Sequence, residues 1–353
     1  MKRMSTVTIS IIIVVILAVI EVFILLNGKG EGQKLSESQG IPYITIAAHR
    51  GLSGLAPEET IPAYLLALEM GADYLEGDVQ RTKDGVLVMF HDDDMTRATN
   101  IEQVFPDRAH DTIDTFTFAE LEKLDVGSWF NEAHPEFARP SFVGLKFLTL
   151  KELIDIAESG KNQPGLYLET KSALRYPGVE KEIIDLLTSR GWVSKTNTKL
   201  EPGMIYSSLD QLNKESAAPI RVAKGPGRVI LQSFEDESVR IMKELAPNVP
   251  RVYLVDQELE AEKGGWQALI DIAKAHNADL GPIGYQAWSW RNKVAHKNNV
   301  LVHHYTIDKP WQMKLLRYMG TDGIFTNRAD IALEVYRGQK MLPIEDYFKK
   351  INY

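Results

Sequence analysis

The sequence contains no cysteine among its 353 residues. This absence excludes disulfide bonds, zinc sites built on thiolates, cysteine nucleophiles and anchoring through a lipidated N-terminal cysteine. The chain also has no excess of positive charge, because its formal net charge is -8. We therefore expect no nucleic-acid partner. An anionic small molecule would need positive charge supplied locally, by a metal ion or by a few basic side chains.

Only one hydrophobic run is long, and it lies near the N-terminus. Residues 7–26 are almost wholly apolar and follow Lys2 and Arg3. About 20 apolar residues are enough to span a bilayer, and basic flanking residues favour the cytoplasmic side. Residues 1–26 are therefore expected to be a cell-membrane anchor that leaves the rest of the chain outside the cytoplasm. The alternative is a cleaved signal peptide and a secreted protein. The polar, Gly- and Ser-rich residues 27–40 predict a flexible tether.

In residues 41–353, short apolar runs alternate with longer amphipathic stretches, which is typical of βα units. The predicted strands are Tyr43–Ala48, Tyr74–Val79, Val86–His91, Gly165–Thr170, Arg228–Ser233, Arg251–Val255, Val300–Thr306 and Gly323–Thr326. Asp279–Tyr285 could add a further strand, so the count is eight or nine. This alternation predicts an α/β fold of the (β/α)8 TIM-barrel type, which takes about 250 residues.

Residues 93–147 interrupt the alternation. This segment separates the third predicted strand from the next predicted helix, and it is rich in Phe, Trp, Pro and Asp. Loops of that length without secondary structure are uncommon in compact domains. We therefore expect a small insertion domain after the third strand. A second irregular stretch, residues 196–227, is expected to form surface loops.

Ionisable residues collect at the ends of four predicted strands. They are His49 and Arg50 at the first, Glu76 and Asp78 at the second, His91 at the third, and Glu169 and Lys171 at the fourth. Strand residues two apart share a face, so Glu76 and Asp78 lie side by side. Neighbouring carboxylates repel each other, and a bound cation removes that cost. With Glu169 as a third oxygen donor, the set suits one hard cation, Mg²⁺ or Ca²⁺.

A barrel brings the C-terminal ends of its strands together at one mouth, where active sites lie. There Arg50 and Lys171 would offer positive charge to a phosphate, and His49 and His91 could exchange protons near neutral pH. Each motif alone is more often a surface ion pair or a structural residue. Their recurrence at successive strand ends favours a shared site. The residues themselves thus predict a metal-assisted hydrolase of anionic substrates.

The order of these motifs resembles the glycerophosphodiester phosphodiesterase family. The matching segments over about residues 43–335 read AHRG, PEET, GAD, LEGD, TKDG, FHD, TRAT, LYLETK, LQSFEDES, VHHYTID and DGIFTNRAD. The YPG and GSWF segments resemble a subgroup of secreted or membrane-attached bacterial enzymes. The resemblance implies a barrel with a small insertion. It also implies hydrolysis of a glycerophosphodiester to glycerol 3-phosphate and an alcohol.

The resemblance also implies roles for individual residues. It implies metal ligation by Glu76, Asp78 and Glu169, acid/base catalysis by His49 and His91, and phosphate contacts from Arg50 and Lys171. His49 is expected to act as the base and His91 as the acid. Because the substrate carries a 2-hydroxyl beside its phosphoester, we expect that hydroxyl to attack and form a cyclic phosphate.

Four positions depart from the usual pattern of the family. Glu59 stands where Asn is usual, Gly77 where Leu or Val is usual, and Ile307-Asp308 where Val-Asn is usual. Glu59 adds negative charge near the mouth and could alter metal affinity or substrate choice. Glu58 is a minor candidate for the site.

The sequence leaves several alternatives open. A related enzyme that cleaves lysophospholipid or sphingomyelin would keep similar motifs but would need an exposed apolar rim. A binding protein on an inactive barrel would be expected to have lost one of the seven residues. The substrate could be a small diester or a glycerol-phosphate polymer. Four aromatic residues could line a headgroup pocket or pack in the core: Trp129, Trp288, Trp290 and Tyr305.

Overall fold

The structure is a computed structural model that describes residues 30–159, 162–193 and 226–353. Its strands are β1 (Thr45–Ala48), β2 (Tyr74–Arg81), β3 (Leu87–Met89), β4 (Gly165–Thr170), β5 (Val229–Ser233), β6 (Arg251–Val255), β7 (Asp279–Pro282), β8 (His303–His304) and β9 (Gly323–Thr326). Eight of them form a parallel sheet in the order β7-β6-β5-β4-β2-β1-β9-β8. Parallel bridges between Leu280 and Val302 and between Ile283 and Tyr305 bring β8 beside β7, so the sheet nearly closes into the predicted barrel.

The third predicted strand is not part of this barrel. β3 pairs antiparallel with β2, and Val79 lies opposite Met89. Only six residues separate Val79 from Val86, which is too short for the crossover that parallel strands require. The Asp-Gly pair before Val86 turns the chain back as a hairpin, with Gly85 at φ 85°. The ambiguous segment at Asp279–Pro282 supplies the missing barrel strand instead.

Helices surround the barrel and cover its outer face. They are Ile61–Met70, Leu150–Ser159, Val179–Ser189, Asp236–Leu245, Gln257–Lys263, Trp266–Ala275, Ser289–Lys297, Pro310–Met319, Ala329–Arg337 and Ile344–Ile351. In the second of these, Leu150, Leu153, Ile154 and Ala157 share one buried face at helical spacing. The barrel interior has its own cluster, which includes Tyr74, Tyr167, Ile230, Val252, Leu301 and Phe325.

The predicted insertion is structured. Residues 93–147 contain the short helices Ile101–Val104, Phe118–Leu121 and Ser128–Ala133, joined by single turns of 3₁₀ helix. They enclose a separate hydrophobic cluster that includes Ile101, Ile113, Phe116, Leu121 and Leu124. Because the hairpin strand β3 leads into this segment, the insertion lies beside the C-terminal ends of β2 and β4.

The tether prediction does not hold for residues 30–39, which form a helix. Ser36 and Ile41 are fully buried, and Leu35 packs against the barrel-interior cluster. Ser38 and Gln39 border a cavity of about 500 Å³ with residues that immediately precede β6, β7 and β8. The helix therefore closes the barrel at the end opposite the mouth. It is held there by burial of apolar surface, which the polar composition of residues 27–40 did not indicate.

Nowhere in the described ranges is a helix long and apolar enough to cross a membrane. The predicted membrane segment, residues 7–26, lies outside those ranges, as does most of the irregular stretch 196–227.

Candidate active site at the barrel mouth

Three carboxylates meet at the C-terminal ends of β2 and β4. The strand register places Asp78 opposite Glu169, and Glu76 lies two residues before Asp78 on the same face. One oxygen from each of Glu76, Asp78 and Glu169 lies within 4.8 Å of the others, and all three side chains are buried. The sequence-predicted triad is therefore brought together in space.

The three carboxylates do not have the same proton affinity. Burial, reinforced by the charge of Asp78, raises the pKa of Glu169 to about 8 and moves the pKa of Glu76 well above its usual value. Burial alone would also raise the pKa of Asp78, but Arg50 and Lys171 overcome that effect and hold its pKa below the usual range. This crowding of buried acids is the condition that a bound divalent cation relieves.

The donor set fits a hard cation. All candidate donors are carboxylate oxygens, the type that Ca²⁺ and Mg²⁺ prefer. Glu76 is held in position on both oxygens, because Gln232 Nε2 donates to Oε1 at 2.8 Å and the backbone N–H of Arg50 donates to Oε2 at 2.8 Å. Gln232 is on β5 and lies opposite Glu169 in the register. Hydrogen bonds of this kind orient metal-binding carboxylates.

Two basic side chains flank the triad. Arg50 has a left-handed backbone with φ 55°, and its Nε lies 3.2 Å from Asp78 Oδ2. Its Nη1 lies 3.1 Å from Glu58 Oε1. On the other side, Lys171 Nζ lies 3.4 Å from Glu169 Oε1. Both predicted phosphate contacts thus lie beside the carboxylates, where they place positive charge next to any bound phosphate.

His49 is fixed in one tautomer by its neighbours. Its Nδ1 lies 2.7 Å from Asn327 Oδ1, and Asn327 Nδ2 donates to Asp308 Oδ2 at 2.9 Å. Because Asn327 Oδ1 can only accept, His49 Nδ1 carries the proton and Nε2 keeps its lone pair. Burial, aided by Arg50, lowers the pKa of His49 to about 3. The imidazole is therefore neutral at physiological pH and able to accept a proton at Nε2.

His91 lies in a different environment. Its Nδ1 donates to Asp92 Oδ1 at 2.7 Å, and the side chain is partly exposed at the mouth. Asp92 is in turn paired with Arg97, which also bonds to Glu58. The Asp92 carboxylate accepts the Nδ1–H and so fixes the orientation of the His91 ring.

Two of the unusual residues in the sequence, Glu59 and Gly77, lie close together. Glu59 is buried, its Oε1 accepts the backbone N–H of Asp78 at 2.9 Å, and its Oε2 accepts a hydrogen bond from the Tyr64 hydroxyl. Burial and the charges of Asp78 and Glu76 raise the pKa of Glu59 well above its usual value. Gly77 lies directly beneath this group.

Sequence reasoning missed the residues that position the site. Gln232, Asn327 and Asp92 each hold one of the predicted residues in place, and Asp308 in turn holds Asn327. A polar residue inside the apolar run of β5 was a signal for Gln232, since buried polar side chains need partners. Asp92 directly follows His91 in the sequence, whereas the pairing of His49 with Asn327 depends on how distant segments meet, which no local pattern shows.

Comparison with known proteins identifies this arrangement. A model of the glycerophosphoryl diester phosphodiesterase family matches residues 49–331. The chain belongs to that family. It is an enzyme of the glycerophosphodiester phosphodiesterase type, which confirms the resemblance carried by the motifs and argues against a binding protein on an inactive barrel. The secreted or membrane-attached subgroup stays a prediction.

Relatives of this phosphodiesterase can be aligned with most of its chain. The glycerophosphodiester phosphodiesterase of Bacillus subtilis is 35% identical over 296 residues, which is 84% of this chain and 87% of that protein. A crystal structure of the Agrobacterium tumefaciens enzyme gives a TM-score of 0.57 at 22% identity and covers 82% of this chain and 98% of its own. The structure of an Oleispira antarctica phosphodiesterase in complex with the product sn-glycerol-3-phosphate gives a TM-score of 0.59 at 23% identity. The match covers 83% of this chain and 96% of that chain. Both structures share the barrel fold.

Proposed function

We propose that the protein hydrolyses glycerophosphodiesters to sn-glycerol 3-phosphate and an alcohol, with one divalent cation, Ca²⁺ or Mg²⁺, held by Glu76, Asp78 and Glu169. The observation that carries this proposal is the convergence of three buried carboxylates within 4.8 Å, between a neutral histidine and two basic side chains. The names of the Bacillus subtilis relative and the Oleispira antarctica complex support the substrate class.

When bound, the cation supplies positive charge to the phosphoryl oxygens and to the attacking hydroxyl. Arg50 and Lys171 add charge on either side and orient the phosphate through charge-assisted hydrogen bonds. A substrate phosphate would take over part of the attraction that these two side chains now direct to Asp78 and Glu169.

The two histidines divide the proton transfers. His49 Nε2 takes the proton of the substrate 2-hydroxyl, whose oxygen bonds to phosphorus and forms a five-membered cyclic phosphate. His91 gives its proton to the leaving alcohol oxygen as the phosphorus–oxygen bond to the headgroup breaks. Water then opens the ring with the two roles exchanged. Intramolecular attack has a proximity advantage, with effective molarities of about 10⁵ M or more in well-oriented cases.

Release of sn-glycerol 3-phosphate from a panel of glycerophosphodiesters, with and without chelator, tests this function. We expect turnover that is abolished by the chelator and restored by Ca²⁺ or Mg²⁺. Glu169→Gln should lose activity in the presence of either metal, whereas Glu258→Gln, an exposed control, should not. Metal-independent turnover would refute the cation role. A glycerol-phosphate polymer in the same panel distinguishes polymer from small-diester hydrolysis.

We also propose that residues 1–26 anchor the enzyme in the cell membrane with the barrel outside the cytoplasm, on the basis of the apolar run 7–26 after Lys2 and Arg3. Protease added to intact cells, or to spheroplasts if an outer membrane is present, should digest the barrel. A cytoplasmic marker protein should survive the same treatment. A protected barrel in cells whose surface is accessible would contradict this location.

A further inference from the structure

A chain of hydrogen-bonded ion pairs links the two sides of the candidate active site. His91 Nδ1 donates to Asp92 Oδ1 at 2.7 Å, and Arg97 Nε donates to Asp92 Oδ2 at 2.5 Å. The other two nitrogens of the same guanidinium donate to Glu58, from Nη2 to Oε1 at 2.5 Å and from Nη1 to Oε2 at 3.3 Å. Glu58 Oε1 also accepts from Arg50 Nη1 at 3.1 Å. Arg97 therefore connects the partner of His91 with the partner of Arg50.

The guanidinium group is suited to this connection. It carries a fork of two nitrogens at its end and a further N–H on its side, so one arginine can pair with Glu58 and Asp92 together. Burial alone would raise the pKa of Asp92, but hydrogen bonds from His91 and Arg97 hold that pKa below the usual range. Burial acts in the same direction on Glu58, and Arg50 and Arg97 lower its pKa. Both carboxylates are therefore charged at neutral pH, and the cation that they share offsets their repulsion.

The insertion holds Arg97 in place. Arg97 belongs to residues 93–147, and its Cζ lies 5.2 Å from the centroid of the Trp129 ring. Trp129 packs against both the barrel core and the separate core of the insertion, and its Nε1 donates to Val126 O at 2.9 Å. A guanidinium at this distance from an indole ring is attracted to it. The insertion thus supplies both Arg97 and the surface on which the arginine rests.

We propose that Arg97 is a positioning residue: by bridging Asp92 and Glu58, it fixes the His91 ring relative to Arg50 and the phosphate. This inference rests on the proposed phosphodiesterase activity. In that reaction the bond between phosphorus and the headgroup oxygen breaks while His91 gives its proton to that oxygen. A ring that is displaced from the line of this transfer donates its proton poorly, so the position of His91 affects the rate.

The alternative is an ion pair without function, because exposed salt bridges usually contribute little to stability. The identity of the bonded groups favours positioning. Each carboxylate that Arg97 pairs with also holds a side chain of the proposed reaction, His91 in one case and Arg50 in the other. The two carboxylates come from different segments of the mouth, one after β1 and the other after β3. The arginine therefore joins two loops whose relative position sets the geometry of the reaction.

The basicity of the leaving alcohol separates positioning of His91 from a general structural role. Choline needs a proton as it leaves phosphorus, whereas 4-nitrophenol is a much weaker base and leaves without one. Glycerophosphocholine is therefore compared with the 4-nitrophenyl ester of sn-glycerol 3-phosphate, at saturating substrate and metal. The full-length protein is kept in solution by an amphipathic polymer. Release of the alcohol is followed in a single turnover, because His91 would also act in the later opening of the ring.

We expect Arg97→Gln to slow choline release by about tenfold or more, which is part of the roughly hundredfold effect of a well-placed general acid. Release of 4-nitrophenol should slow by no more than about twofold. That second rate also shows that the variant is folded and retains its metal site. Arg97→Lys keeps the charge but cannot bridge both carboxylates, so it should show the same difference between the two substrates.

Arg240→Gln is the matched control. Arg240 also bridges two carboxylates, those of Glu237 and Glu244, and its side chain is 41% exposed, compared with 44% for Arg97. It lies on the helix Asp236–Leu245, outside the network at the mouth. Both rates should be unchanged in this variant. A loss in Arg97→Gln that appears only in KM would make Arg97 a headgroup contact and would overturn the positioning role.

A double variant tests the coupling to His91. His91→Asn removes the proton donor, so adding Arg97→Gln in that background should slow choline release no further. Independent effects would instead multiply, and the double variant would be slower than either single variant. Such a result would show that Arg97 acts without His91, and it would overturn the proposal.

A measurement without substrate separates this proposal from the proposed function. NMR of protein labelled at histidine reports on the surroundings of each imidazole ring. Arg97→Gln should shift the signals of His91 and leave those of His49 in place; each set is identified by its loss in the corresponding Asn variant. If the original protein hydrolyses neither substrate, the proposed function fails and the NMR result alone decides the positioning role. That role is overturned if the His91 signals do not move, or if Arg97→Gln slows the release of both alcohols equally.

Discussion

The carboxylate of Glu59 occupies the space directly above Gly77. A Cβ added at Gly77 would collide with the Tyr64 hydroxyl and lie 2.6 Å from Met89 Cε and 2.9 Å from Glu59 Oε2. These two residues are also the two departures from the usual family pattern in this part of the chain. Because the two residues lie so close together, we expect the larger side chain at position 59 and the absence of a side chain at position 77 to be energetically linked.

This linkage predicts a favourable coupling between the two positions. Gly77→Val should lower the free energy of unfolding by about 1–3 kcal/mol, because it overpacks a buried site. Combining it with Glu59→Asn, which shortens the opposing side chain, should recover part of that loss, with a coupling of about 1 kcal/mol. The free energies of unfolding in urea of the original protein, both single variants and the double variant together form a double-mutant cycle, which gives the coupling. Gly30→Ala is the control, since nothing lies within 4 Å of a Cβ there; strictly additive losses would contradict the linkage.

Gln232 should tune metal affinity without being a ligand itself. Gln232→Leu removes the 2.8 Å hydrogen bond to Glu76 Oε1 and frees that carboxylate to rotate. We expect Ca²⁺ or Mg²⁺ affinity to fall by about 10- to 100-fold, the usual cost of losing such a contact. Isothermal titration calorimetry gives the dissociation constant, and Gln257→Leu on the surface serves as the control. An unchanged dissociation constant would show that Glu76 does not depend on Gln232.

Metal binding should release protons at neutral pH. Burial raises the pKa of Glu169 to about 8, so below that pH the metal-free carboxyl is largely protonated and must lose its proton to a cation. Metal affinity should therefore weaken as pH falls from about 8 and strengthen as pH rises toward it. Calorimetry at pH 7 in buffers of different ionisation enthalpy should detect about one released proton or more. The Glu169→Asn variant, measured at a metal concentration that compensates for its weaker binding, should release about one proton fewer than the unmodified protein.

Asn327 should set the pH at which His49 is active. The low pKa of His49 keeps the imidazole neutral down to well below pH 6.5. Asn327→Asp places a carboxylate on Nδ1, which favours the protonated ring and raises that pKa. In the pH profile of kcat/KM, the loss of activity at low pH that is assigned to protonation of His49 should therefore move toward neutral pH. The control variant Asn298→Asp should leave this profile unchanged. If Asn327→Asp lowers activity equally at every pH, the asparagine has only a structural role.

The cyclic route makes the substrate 2-hydroxyl essential. A 2-deoxy analogue of glycerophosphocholine should bind with similar affinity but turn over at least about a hundredfold more slowly, because it lacks the nucleophile. Single-turnover measurement separates its binding from its hydrolysis. A kcat similar to that of the natural substrate would indicate direct attack by water instead.

Much of the site could be predicted from sequence because parallel strands bring their C-terminal ends to one place. Glu76, Asp78 and Glu169 needed only the two-residue periodicity of strands and the order of β2 and β4. The hairpin strand at Leu87–Met89 was misplaced because its apolar composition is the same as that of a barrel strand. The pairing of His49 with Asn327 joins residues 278 apart in the chain. Such pairings follow from barrel closure, a tertiary property that local patterns do not contain.

If residues 1–26 anchor the enzyme as proposed, the helix at residues 30–39 would set the direction in which the mouth points. It closes the barrel at the end opposite the triad, and only residues 27–29 separate it from the proposed membrane segment. Three residues reach about 10 Å at most. An enzyme anchored in this way turns its catalytic end away from its own bilayer, and so draws its substrates from the aqueous side. Water-soluble glycerophosphodiesters could reach that mouth, whereas lipids that stay in the anchoring membrane could not.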